Sequence, residues 1–234
     1  MTEFVSSERA VCIGLTRATL NGDLGLPRNP SGVVLIPHDD ESNRLSPQHR
    51  FVAKTLRAHG IGTLHFKLLT DLETEIDKSS SKCSFSIPFL AARLASATRW
   101  TLRQPELRGL NIGYLATRKA AAVAFLATAR QLGTITAVVS AGGRPDLAED
   151  FLPSVAVPTL LIVAGLDHSL MEMNHQALEK LGCIEKKLLI IPEATSTFEE
   201  PGALKDVARL AAGWFSYYFA LRNGSEGYRA AQVL

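Results

Sequence analysis

Two adjacent cations, Arg118 and Lys119, stand in the turn Ala116-Thr117-Arg118-Lys119-Ala120. An apolar run, 111–115, precedes the turn, and an alanine-rich helical pattern, 119–132, follows it. A helix N-terminus presents unpaired backbone N–H groups and the positive end of the helix dipole, so cations at this point define a candidate anion-binding site. A second charged cluster, His38-Asp39-Asp40-Glu41, follows the apolar run 33–36. His38 is a candidate base or a residue that orients its loop, and Asp39 and Asp40 are candidates to line the same pocket. The other histidines read less sharply. His65 lies in a strand pattern and reads as structural; His49, His59 and His175 lie on helical patterns and read as surface residues. No pair has metal-ligand spacing, and neither a metal nor a cofactor is expected. Cys83 sits in a serine-rich stretch with no nucleophile motif around it and reads as an incidental thiol. Glu199-Glu200, just before Pro201, suits the dipole at a helix start better than a catalytic carboxylate pair.

These residues need a frame to hold them. Short β-branched and aliphatic runs occur at 11–15, 33–36, 62–66, 111–115, 135–140, 159–163 and 187–191. Most of the middle ones are continuously apolar, which suits strands covered on both faces of a parallel sheet. Between them lie helical patterns at 46–59, 89–104, 119–132, 172–181 and 201–221. The first opens on Ser46-Pro47, a cap with proline at the first helical position, and stops at Gly60. Strands alternating with helices predict right-handed βαβ units and an α/β sheet with helices on both faces. The polar stretch 71–86 breaks the alternation and is expected to be an exposed excursion; the tail 222–234 opens on turn residues and is expected to be loosely ordered. No repeat and no linker divides the chain, so one domain over 1–234 is expected.

The 234 residues include 46% hydrophobic and 21% charged residues, ordinary values for a chain that builds its own core. A net charge of +2 gives no electrostatic reason to bind nucleic acid or an anionic membrane. Three scattered cysteines, Cys12, Cys83 and Cys183, argue against a disulfide framework. With no signal-like N-terminus and no long apolar run, a cytoplasmic location is expected.

Several segments together carry a family resemblance that spans most of the chain. They are "GDLGLPRNPSGVVLIPHDDESNRLSPQHRFVAKTLRAHGIGTLHFKLLT", "FSIPFLAARLASATRW", "ELRGLNIGYLATRKAAAVA", "AVVSAGGRPDLA", "VPTLLIVAGLDHSL" and "LLIIPEATSTFEEPGAL". The chain resembles the dienelactone-hydrolase-like branch of the α/β-hydrolase fold. That resemblance implies ester or lactone hydrolysis by a nucleophile, an acid and a histidine in that chain order. Carried over position by position, the nucleophile falls on Arg118, where the family has Ser or Cys between two glycines; here both glycines are alanine. The acid falls on Asp167, which is retained, with His168 as its neighbour. The histidine falls on Ser196, in Pro192-Glu193-Ala194-Thr195-Ser196-Thr197-Phe198. The oxyanion loop falls on His38-Asp39-Asp40-Glu41, whose carboxylates would oppose developing negative charge.

A guanidinium stays protonated and cannot attack a carbonyl, and a serine hydroxyl cannot replace imidazole as a base near neutral pH. The resemblance with these substitutions therefore implies a hydrolase fold without the family's mechanism. Three readings stand: a pseudo-hydrolase that binds a small anionic ligand, a protein partner or a second copy of the chain; an active ester or lactone hydrolase with a rearranged site; and a structural or assembly protein with a filled pocket. In the filled-pocket form, Arg118 pairs with Asp167, Asp39 or Asp40. Arg144 and Asp146, in the turn that starts at Gly142, are expected to form a loop-stabilising ion pair.

Overall fold

The structure is a computed structural model and describes residues 7–16, 18–38, 47–79 and 85–224. Its strands are β1 (Ser7–Gly14), β2 (Thr19–Leu26), β3 (Gly32–His38), β4 (Gly62–Lys67), β5 (Asn111–Thr117), β6 (Ala137–Gly143), β7 (Thr159–Ala164) and β8 (Lys186–Ile191). Its α-helices are α1 (Pro47–Ala58), α2 (Asp71–Ser79), α3 (Ile87–Arg103), α4 (Arg118–Arg130), α5 (His168–Lys180) and α6 (Ala203–Arg222). All eight strands form one sheet in the order β1-β2-β4-β3-β5-β6-β7-β8. β3 to β8 run parallel, and β2 runs antiparallel to both β1 and β4.

Alternation along the central strands divides the core. Val33 and Leu35 of β3 face one layer, and Val34 and Ile36 face the other. The first layer holds the packed side chains of α3 and α4; the second holds those of α1 and α6. Burial on both faces is why these strands read as unbroken apolar runs. α4 is buried from Ala120 to Thr128, which its run of small side chains allows.

Two elements differ from the sequence reading. β2, "TLNGDLGL", lacks the apolar run of a strand because its glycines are needed for close approach. A Cβ at Gly22 would lie 2.8 Å from the His65 carbonyl, and one at Gly25 would lie 2.8 Å from the Arg57 side chain. The stretch 71–86 is not a plain polar excursion, for it opens as helix α2. Thr70 and Glu73 form a capping box: the Glu73 N–H donates to the Thr70 hydroxyl at 3.3 Å, and the Thr70 N–H donates to the Glu73 carboxylate at 2.8 Å. Smaller differences are at element ends. α5 begins at His168, four residues before the helical pattern at 172, because Asp167 caps it. Residues 80–84 and the tail from 225 lie outside the described residues, as does the Ser46 cap.

Glu73 also receives a fork of two hydrogen bonds from Arg93 of α3, each 2.5 Å. This pins α2 to the body of the fold. The Arg93 hydrogen bonds, helped by Thr70, hold the Glu73 carboxyl at a pKa of about 2, against an ordinary 4.5. A carboxyl with a depressed folded pKa stabilises above its unfolded value, and the gain is lost as pH falls through the folded value. Glu73→Gln is therefore expected to cost about 2 kcal/mol near neutral pH, allowing for solvent screening. The difference from the unmodified chain should narrow from about pH 4.5 downward. Urea midpoints of both proteins at pH 7 and pH 3 check this, and a gap that stays constant with pH contradicts it.

Candidate functional site

β5 carries the chain to the C-terminal edge of the parallel strands, the edge where open α/β sheets hold their ligands. Thr117 is extended, at φ −125° and ψ 160°; Arg118 turns to φ +48°, and α4 starts there. For a non-glycine residue this left-handed backbone costs on the order of 1 kcal/mol, so the surroundings must hold it. They do so from β6. The Arg118 carbonyl accepts the Arg144 N–H at 2.9 Å, and Arg118 bridges to Gly143. A Cβ at Gly143 would lie 2.1 Å from Ser140 Oγ and 2.5 Å from Ala121 Cβ, so only glycine lets β6 come this close. The corner is a sharp strand-to-helix elbow with a guanidinium at its apex.

A cavity of about 260 Å³ opens beside Arg118, on the face covered by α1 and α6. Its polar lining includes Arg118, Ser196, Glu199 and three histidines, His38, His49 and His65. His38 ends β3 and is 2% exposed; His65 lies in β4 and is 4% exposed. In the parallel register His65 sits opposite Ile36, two residues before His38. Both histidine rings thus share one face of the sheet. His38 Nε2 and His65 Nδ1 are 3.0 Å apart, so one ring donates its N–H to the other. His49 reaches over from α1, its ring centroid 4.2 Å from that of His38.

This cluster was not legible in the sequence. His49 is half-buried and not a surface residue, and His65, read as structural, faces the cavity. The signal that finds the pair is the two-residue offset across neighbouring strands, which requires the strand order. His59 and His175 are exposed, in keeping with the sequence.

The remaining candidates fall as follows. Ser196 lies on the exposed loop between β8 and α6 and lines the cavity with Thr197 and Phe198. Asp167 does not line it: its carboxylate accepts the Leu170 N–H at 3.0 Å as the cap of α5. Among the described residues no ion pair joins Arg118 to Asp167. Lys119 is not among the residues that line this cavity; its ammonium donates to the Phe85 carbonyl at 3.2 Å, towards the start of α3. Asp39, Asp40, Glu41 and Cys83 lie outside the described residues. Arg144 and Asp146 form a two-bond ion pair, at 2.8 and 2.7 Å, that fastens their turn. The Thr195 hydroxyl donates to Glu200 at 2.6 Å and holds that carboxyl below its ordinary range. Among the described residues no group of three or more His, Cys, Asp or Glu side chains forms a metal-binding arrangement, and no helix is long and apolar enough to cross a membrane.

The sheet order, the elbow after β5 and the cavity beside it define an α/β-hydrolase fold. Within it, the chain belongs to the dienelactone-hydrolase-like family. It is 44% identical to a dienelactone hydrolase of Anabaena variabilis ATCC 29413, whose crystal structure matches with a TM-score of 0.87 over 91% of this chain and 98% of the other. The esterase Est1E of Butyrivibrio proteoclasticus shares the fold at 14% identity, with a TM-score of 0.71 over 88% of this chain and 99% of that one. A protein of Mycobacterium tuberculosis, provisionally named a phosphoribosyl transferase, is 42% identical over 194 residues, 83% of this chain. The chain spans only 43% of that relative's length. No family model matches the chain.

Proposed function

We propose that this chain is a hydrolase-fold protein that has given up the family's nucleophilic mechanism and binds a small anion at the former nucleophile position. The observation that carries the reading is Arg118 at φ +48° on an otherwise intact elbow, lining the same cavity as Ser196. The backbone strain that would expose a nucleophile is kept, while the side chain there is a permanent cation. Guanidinium is a planar donor fork suited to carboxylate or phosphate, and the start of α4 adds to the local positive potential. The cavity of about 260 Å³ supports ligand binding over a filled pocket. Phosphoribosyl transfer is not proposed, because that name belongs to a protein more than twice as long as the part this chain matches.

Calorimetric titration with benzoate and with inorganic phosphate tests the reading. At least one should bind, and Arg118→Ala should weaken that binding about 10- to 100-fold, the worth of a charge-assisted hydrogen bond. Absence of binding by both anions, or equal binding by the variant, rejects it.

A further inference from the structure

The sheet ends differently at its two edges. β1 carries Glu8 and Arg9, in ion pairs with Arg57 and Glu106, and charged side chains on an edge strand discourage further pairing. β8, at the opposite edge, pairs among the described residues with β7 alone. Its sequence, "KKLLII", has no proline or glycine, and its register with β7 is unbroken from Lys186 to Ile191. Lys186 does not guard the edge, because its ammonium turns back to the Leu181 carbonyl, at 2.8 Å, at the end of α5.

The hydrogen bonds to β7 fix which residues face outward. In a parallel pair, alternate residues of a strand direct both N–H and C=O to the same neighbour. The Thr159 N–H donates to the Glu185 carbonyl and the Gly165 N–H donates to the Ile191 carbonyl, each at 2.9 Å. The odd-numbered residues of β8 thus face β7, and Leu188 and Ile190 direct N–H and C=O to the free edge. Ile190 is 45% exposed, and Leu188 and Leu189 are half-buried. Open peptide groups flanked by apolar side chains are a template for another strand.

We propose that this edge joins two copies of the chain, β8 against β8, antiparallel about a two-fold axis at Leu189. The pattern of the strand selects this occupant. Leu188 of each copy falls opposite Ile190 of the other, and each such pair exchanges two hydrogen bonds, about four in all. Leu188 and Ile190 meet across the join on one face of the sheet. Leu189 meets its own counterpart on the other face, where Leu210 and Trp214 of α6 are also only partly buried. Lys187 falls opposite Ile191, at the margin of the join, where its ammonium reaches water. An isologous contact of this kind closes at two copies, whereas β8 against the β1 edge would run head to tail and leave an edge open for the next copy. The proposal is independent of the anion-binding reading, for no residue of β8 lines the cavity.

Sedimentation equilibrium of the full chain, over about 1 to 100 μM, should give the mass of two chains at the upper end. Two variants separate this edge from other surfaces. Ile190→Pro removes an outward N–H and leaves the β7 ladder whole, a place where an edge strand tolerates proline. Ile190→Lys puts a charge at the join. Each should weaken association at least about tenfold, whereas Leu132→Lys, at an exposed apolar residue beyond α4, should leave it unchanged. Hydrogen exchange on the unmodified chain adds a readout that stays decisive if a variant fails to fold. The Leu188 and Ile190 amides should exchange at least about tenfold more slowly at the dimeric end of the series than at the dilute end. A monomer throughout the range overturns the proposal, as does a dimer that neither variant at Ile190 weakens. A mass that climbs past two chains overturns the two-fold closure.

Discussion

The purified protein is expected to release p-nitrophenol from p-nitrophenyl acetate no faster than buffer does. On the function proposed above, two steps of the family's reaction lack their agent. Acyl transfer in this family needs an attacking oxygen or sulfur, a base to take its proton and N–H donors for the oxyanion. Arg118 supplies no nucleophile, and Ser196 supplies no base. Losing a triad member costs roughly three to six orders of magnitude, and members acting as a unit do not add, so two losses leave background rates. Restoring both, as Arg118→Ser with Ser196→His, is expected to stay within about tenfold of that background. By the family resemblance, Asp39, Asp40 and Glu41 fall in the oxyanion segment of the sequence, and a carboxylate at an oxyanion site opposes the charge that develops. Turnover by the unmodified chain well above buffer, falling with Asp167→Asn, would sink the inactive reading and favour a rearranged hydrolytic site.

Phe215→Ala is expected to cost about 3–5 kcal/mol, the range for deleting a buried aromatic ring. The ring is fully buried and lies where a side chain of β5 would otherwise be: a Cβ at Gly113 would come within 2.5 Å of it. One helical turn on, Phe219 lies over Gly32 of β3 in the same way, at 2.4 Å, and the two ring centroids are 5.6 Å apart. α6 is thus keyed into the two adjacent strands that deliver His38 and Arg118 to the cavity. Removing the ring leaves a hole that glycine cannot fill. For a domain of this size the melting temperature should drop by about 10 °C. The reciprocal change, Gly113→Ala, forces the ring out of its place and should cost about 1–3 kcal/mol. Thermal and urea melts of both variants decide this, and a loss below about 1 kcal/mol for Phe215→Ala would show that the keying contributes little.

The two predictions draw on parts of the molecule that were unequally legible. The parallel strands β3, β5, β6 and β7 could be read directly, because burial on both faces leaves a continuous apolar run in the chain. β2 could not, because its glycines answer to neighbours distant in sequence, His65 and Arg57. Helix α2 was hidden for the opposite reason. Its polar composition suggests a loop, and the deciding signal is a local one, Thr70 and Glu73 three residues apart, reinforced by Arg93 twenty residues later.

The site divides in the same way. The sequence by itself determined that a cation stands at the elbow and that a serine stands where the family resemblance calls for histidine. These are identities at positions, and the flanking strand and helix patterns locate them. The tertiary structure decided which side chains share the space. It turned Lys119 towards Phe85, kept Asp167 as a helix cap, and brought His38, His49 and His65 from β3, α1 and β4 into one cavity with Arg118. The physical reason is that side-chain proximity across a sheet depends on strand order and register. Those are set by packing on two faces at once and leave no periodic trace in the chain.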